Sequence, residues 1–157
     1  PMPCISPDQA GGINVCAFLD MLAMSEIGAA LLASSDDGYN VLVGGQLFSS
    51  YDDHPNIFNA QLNSTAAGRY QLLHRWWLPY KSQLQLTDFG PVSQDRVAIQ
   101  QIRERGAIAD IQAGRFDQAV AKVSNIWASL PGAGYGQHEN HIGALRVAYV
   151  TAGGTLA

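Results

Sequence analysis

The chain has 157 residues, of which 47% are hydrophobic and 14% charged, and its net charge is −4. That length suits one domain with a buried core, the scarcity of charge excludes a disordered, heavily solvated chain, and the negative balance argues against a nucleic-acid or anionic-membrane binder. Of the 13 acids, three are glutamates, Glu26, Glu104 and Glu139, few enough for each to be asked what it does. The apolar stretch Ile27 to Ala33 falls well short of the ~20 residues of a membrane span. No basic segment followed by an apolar block opens the chain, so no secretory signal is expected.

Residues 1–14 carry three prolines and the pair Gly11-Gly12 and read as an irregular lead-in. Asn14 is placed to cap a helix from Val15, whose face Val15, Phe18, Leu19, Leu22 and Ala23 recurs at helical spacing and reaches Glu26 one turn later, with Gly28 as a stop. Tyr39 to Val43 and Gln46 to Phe48, separated by Gly44-Gly45, read as a hairpin. Residues 49–67 have no clear period, and long loops in compact domains are often functional. A helix is expected from Gly68 to about Gln85, bent or split at Pro79. Further helices follow over Pro91–Arg105, Ala107–Gln112, Phe116–Leu130 and Gln137–Ala152, with a Gly-rich loop between the last two. One helix, a small antiparallel sheet and several helices make an α+β arrangement of a single domain over 1–157.

Glu26 is the most informative acid. A carboxylate on the apolar side of a helix is desolvated, which raises its pKa, and an acid still protonated near neutrality is what a general acid requires. The plainer alternative is a frayed helix end with Glu26 in solvent. Glu104, between Arg103 and Arg105, belongs to a solvated face. Glu139 suits the first turn of the last helix, where the dipole favours negative charge. Asp36, Asp37, Asp52 and Asp53 read as turn formers rather than as a second catalytic carboxylate.

His138 and His141 are three apart, not the four of a helical zinc motif, and His54 and His74 have no ligand-spaced partner. The glycines from Gly132 to Gly136 follow a helix rather than a strand and make no dinucleotide fingerprint. No serine-hydrolase elbow or phosphate loop occurs. Cys4 and Cys16 admit one bridge or two free thiols. Trp76, Trp77 and Trp127 read as core, whereas Tyr70 and Tyr135, beside Gly-rich segments, are ligand candidates.

Several motifs run in order from about residue 17 to the C-terminus. Phe18-Leu19-Asp20-Met21-Leu22-Ala23 leads to Ser25-Glu26. Asp53-His54-Pro55, Gly68-Arg69-Tyr70-Gln71-Leu72-Leu73 and Arg75-Trp76-Trp77 follow. Gln100-Gln101-Ile102 with Glu104-Arg105-Gly106-Ala107 comes next, and then the block from Ser124 to Gln137. Together they resemble the lambda-type phage endolysins. The resemblance implies a lysozyme-like α+β fold, mostly helical with a small antiparallel sheet. It also implies lytic transglycosylase activity on the β-1,4 bond between N-acetylmuramic acid and N-acetylglucosamine, leaving 1,6-anhydromuramic ends. A peptidoglycan hydrolase (muramidase) and a non-catalytic glycan-binding module are the alternatives. Glu26 stands at the family's catalytic glutamate, and Gln71 ends a segment similar to the Gly-x-x-Gln motif that lines the groove. Tyr70, Asn125, Tyr135 and Gln137 are the further substrate-binding candidates, residues 130–137 resemble the lower lip of the cleft, and part of 54–66 resembles the upper lip.

The implied partner is the peptidoglycan glycan strand, approached by a monomer, with no metal or organic cofactor, no nucleic acid and no membrane insertion. Synthesis in the host cytoplasm and action on periplasmic peptidoglycan after holin release complete the expectation, without direct contact to the holin. The sequence departs from the family at Ile27, where glycine is usual, at Met24, where an aromatic is common, in the apolar segment 27–33, and in a shorter upper lip.

Overall fold

The computed structural model describes residues 3–134 and 139–157. Among them the chain forms helices α1 (Pro7–Ala10), α2 (Ile13–Glu26), α3 (Ala29–Ser34), α4 (His74–Gln83), α5 (Pro91–Glu104), α6 (Ile108–Gln112), α7 (Phe116–Val123) and α8 (Ile142–Thr151).

The organising element is α2. Every residue from Val15 to Ala23 is buried, so the helix is enclosed all round rather than on the single face its spacing suggested. α1, α3, α5, α6 and α8 pack against it. Phe18 meets Phe116 and Tyr149 edge-on, at 5.8 and 6.5 Å between ring centres. A second core cluster gathers Leu42, Phe48, Ala67, Leu72, Trp77, Leu86, Phe89 and Val97. α5 serves both clusters, because Val97 faces the second while Ala98, Ile99 and Ile102 face the first.

The lead-in is not wholly irregular. Ser6 Oγ accepts from Gln9 N at 3.3 Å, Pro7 opens α1, and Gly11 closes it in the left-handed region. Asn14 does not cap α2; Gly12 holds that position. Asn14 Nδ2 instead donates to Ile111 O and Thr155 Oγ1, both at 3.1 Å, tying the start of α2 to α6 and the C-terminus. Gly28, with a φ of 91°, follows the C-cap Ile27 and stops α2 as expected, and α3 starts directly after it within the apolar segment 27–33. Both cysteines are free, Cys4 exposed and Cys16 buried.

The expected antiparallel sheet is present only as isolated bridges, Val41 to Leu47, Leu42 to Ala67, Asn59 to Ser64 and Ala67 to Leu72. Val41 and Leu42 are both buried, so the alternation of core and solvent faces on which a regular strand depends is broken there.

The helix expected over 68–85 starts only at His74. Gly68 and Gln71 have φ of 84° and 52°, outside helical space, and Ala67 and Leu72 exchange backbone bonds of 3.1 and 2.9 Å around the turn they make. Pro79 does not split α4; it and Arg75 are exposed, so the carbonyl that loses its partner lies on the solvent side. α7 stops at Val123 rather than Leu130, and the last helix starts at Ile142. Trp77 and Trp127 are core, but Trp76 is 51% exposed.

Candidate active site

Glu26 is the last residue of α2. The carbonyl end of a helix carries partial negative charge, which disfavours a carboxylate. Burial is the largest cause of a pKa held above the ordinary carboxylate value, and hydrogen bonds from Ser129 pull it part of the way back. No neighbouring carboxylate figures among the causes. The frayed, solvated alternative is therefore set aside by the surroundings of the side chain.

The hydrogen bonds behind Glu26 have a fixed direction. Ser129 Oγ donates to Glu26 Oε2. Having given its one proton, Ser129 must accept from Ser25 Oγ, 2.7 Å away. Ser25 in turn accepts from Asn140 Nδ2 at 3.0 Å. The chain thus runs from Asn140 to Ser25 to Ser129 to Glu26. Ser129 thus holds the carboxyl through its hydroxyl and its backbone.

The loop that supplies these groups is fastened by its own contacts. Asn140 N donates to Ser129 O at 2.8 Å. Glu139 accepts from Gly132 N at 3.0 Å and Gly134 N at 3.2 Å. Glu139 is thus a loop clamp, not a residue of the last helix's first turn.

Tyr70, Gln71 and Asn125 come together in one pocket of about 230 Å³, which Trp76, Glu104 and Arg105 also line. Glu26 does not line this pocket. It is joined to it through the turn that carries both Asn125 and Ser129, where Trp127 Nε1 donates to Tyr70 O at 3.0 Å. Gln71 Nε2 donates to Gly68 O and Val41 O, at 2.9 and 3.2 Å, so the amide nitrogen is spent on positioning the residue. The Tyr70 hydroxyl is committed below the pocket, donating to Asp95 Oδ1 at 2.6 Å. Tyr135 and Gln137 lie outside the described residues.

Beneath Gln71 lies a buried charge network. Arg69, 0% exposed, pairs with Asp20 at 2.6 Å and Asp37 at 3.4 Å, and donates to the Tyr70 hydroxyl at 2.9 Å. Asp95 accepts from Tyr39 and Tyr70 hydroxyls and from Ile5 N. Burial, the largest cause, holds both Asp20 and Asp95 above the ordinary carboxylate value. The loop acids are engaged elsewhere, Asp36 by Tyr51 at 2.6 Å and Asp53 by Trp77 at 2.8 Å. His54 is a buried structural histidine, with Nε2 2.8 Å from Leu72 O. Among the described residues no three His, Cys, Asp or Glu side chains converge on a metal site.

The Endolysin family profile matches residues 16–156. The chain belongs to this family. It is 54% identical over 144 residues to the endolysin of Escherichia phage lambda, covering 89% of this chain and 91% of that protein. It is 48% identical to the endolysin of Escherichia phage P2 over 99% of this chain and all of that one. The solved structure of bacteriophage lambda lysozyme complexed with a chitohexasaccharide superposes with a TM-score of 0.87 at 50% identity, covering 98% of each chain. A second lambda lysozyme structure gives 0.82 at 49% identity over 93% of this chain and 97% of that one. The lysozyme-like, mostly helical fold is therefore that of this endolysin. Sequence reading missed Ser129 and Asn140 as partners of the acid, and missed Arg69 as a buried cation. Neither residue type nor local spacing marks contacts made across 103 and 115 residues, as for Ser129 and Asn140, or across 49, as for Arg69 and Asp20.

Proposed function

We propose that this endolysin is a lytic transglycosylase that cleaves the β-1,4 bond between N-acetylmuramic acid and N-acetylglucosamine in peptidoglycan. The observation that carries the reading is a half-buried acid held by Ser129, with no carboxylate hydrogen-bonded or paired to it among the described residues. A glycosidase that hydrolyses through two carboxylates needs the second as nucleophile or base. An intramolecular transfer needs only one.

Glu26 donates its proton to the glycosidic oxygen, and the bond to C1 of the muramic ring breaks as positive charge develops there. The acetamido oxygen of the same sugar holds that charge. Ionised Glu26, steadied by Ser129, then removes the proton from the 6-hydroxyl as its oxygen closes on C1. The nucleophile is tethered to the electrophile, so its effective concentration is high without a bound water. Glu26 ends protonated, ready for the next strand.

Gln71, Asn125 and the ring of Tyr70 form the glycan-binding wall in this reading, with Tyr135 and Gln137 reaching the strand from the lower lip. The lambda lysozyme bound to a chitohexasaccharide supports a glycan ligand for this fold. The protein acts as a monomer on periplasmic peptidoglycan and depends on a holin for passage from the host cytoplasm. No helix among the described residues is long and apolar enough to cross a membrane. Mass spectrometry of digested peptidoglycan tests the chemistry. Fragments ending in 1,6-anhydromuramic acid are expected; fragments with free reducing ends alone make the enzyme a muramidase.

A further inference from the structure

The pocket that Tyr70, Gln71 and Asn125 line carries more charge than a neutral glycan explains. Arg105 lines it and makes no hydrogen bond or ion pair of its side chain among the described residues. Its neighbour Glu104, the last residue of α5, lines it too, yet the two do not pair. Glu104 is held in place instead. Its Oε1 accepts from the Tyr80 hydroxyl at 2.5 Å and its Oε2 from Gln100 Nε2 at 3.2 Å, while Gln100 Oε1 accepts from Arg103 at 2.7 Å. Burial and then Glu104 push the Tyr80 phenol up while Arg105 eases it back, so both charges act on one hydroxyl. The exposed Trp76 completes this wall, with the Arg75 guanidinium 5.6 Å over its ring.

The negative end of α5 accounts for a cation at Arg105. It does not account for a carboxylate anchored beside it, nor for both facing the cavity that Gln71 and Asn125 share. At about 230 Å³ the pocket is smaller than the ~300–1,000 Å³ of a site for a drug-sized molecule. It suits a short side branch. A chitooligosaccharide carries no charge to offer such a wall, whereas the peptide that hangs from each muramic acid carries carboxylates and a free amine.

We propose that this pocket binds the peptide branch of the peptidoglycan strand, with Arg105 taking a carboxylate, Glu104 an ammonium group, and Trp76 packing on the aliphatic part. The inference rests on the reading of peptidoglycan as substrate and adds a peptide-recognition site to it. The strand would then be read twice, by its sugars along Gln71 and Asn125 and by its peptide at Trp76, Glu104 and Arg105.

The test is an NMR titration of the full chain, labelled with ¹⁵N, with the tripeptide L-Ala–D-Glu–meso-diaminopimelate and, separately, with chitohexaose. The tripeptide is expected to give saturable shifts at the Trp76 indole and the Arg105 guanidinium. Arg105→Gln and Glu104→Gln are each expected to weaken tripeptide binding by about tenfold, as for loss of a charge-assisted hydrogen bond, and to leave chitohexaose binding unchanged. Both positions are exposed, so the variants are expected to fold. Absence of saturable shifts at this wall, or tripeptide binding undiminished in both variants, overturns the proposal. The readout is binding rather than turnover, so it is separate from the product analysis that judges the transglycosylase reading.

Discussion

Replacing Glu26 separates its chemical role from its thermodynamic one. Glu26→Gln keeps an acceptor for Ser129 but has no proton to donate, so turnover is expected to fall by roughly 10³-fold or more. Glycan binding, read by titration with chitohexaose, should survive. The stability effect has the opposite sign. The folded-state pKa of Glu26 lies above its ordinary value, so the folded protein holds this proton more tightly than the unfolded chain. Its contribution is present below the ordinary value and is lost as pH rises through the raised one. Glu26→Gln should therefore melt at a higher temperature than the parent at neutral pH and at the same temperature in acid. A lower melting temperature at neutral pH would contradict the burial account.

The hydrogen-bond chain behind the acid makes a second residue-level prediction. Ser129 lowers the pKa of Glu26, so Ser129→Ala should move the alkaline limb of the kcat/KM profile to higher pH. Asn140→Ala acts two links further back and should give a smaller shift of the same sign. An unmoved profile in Ser129→Ala would remove that serine from the acid's environment. The partial burial of Glu26 was legible because it follows the apolar residues of α2 at helical spacing. Ser129 and Asn140 were not, since they lie 103 and 115 residues from the groups they bond.

Among the elements, α5 kept the bounds its period predicted, with Pro91 opening it and Gly106 just beyond its end. The helix expected over 68–85 was over-extended because apolar spacing continues through residues whose backbone is left-handed. Gly68 shows why that turn cannot be helical. Its φ is 84°, and an added Cβ would sit 2.3 Å from Gln94 Oε1. Gln94 Oε1 accepts from Arg69 N at 2.9 Å, and Gln71 Nε2 bonds Gly68 O. Gly68→Ala is therefore expected to destabilise the fold by about 2–4 kcal/mol, from backbone strain plus overpacking. Urea denaturation measures this, and a loss under ~0.5 kcal/mol, the range of an ordinary surface substitution, would show that the turn adjusts freely. The missing sheet has a related cause, since consecutive buried residues at 41 and 42 serve two packing surfaces and leave no regular pleat.

Across the whole molecule, the Arg69 network joins parts that local pattern could not connect. Ile5 in the lead-in, Asp20 on α2, Asp37 and Tyr39 in the following turn, and Asp95 on α5 all meet around Arg69 and Tyr70. Tyr70, which lines the pocket, is thus tied through Arg69 to α2, the helix that ends in Glu26. Arg69→Met would leave Asp20 buried without its cation and should cost about 3–5 kcal/mol. Adding Asp20→Leu should recover part of that loss, because an apolar pair requires no desolvation of charge. Chemical denaturation of the single and double variants decides it; equal destabilisation by both would mean that Asp20 is not the partner whose isolation matters.

The account's central claim is that one acid and a tethered hydroxyl suffice, with no water entering the bond. Digestion of purified peptidoglycan in ¹⁸O-enriched water, followed by mass spectrometry of the released muramic fragments, tests it most directly. Unlabelled anhydromuramic ends are predicted, absent from digests with Glu26→Gln. Muramic ends carrying ¹⁸O at C1 would contradict the claim and place a water where the 6-hydroxyl is now assigned.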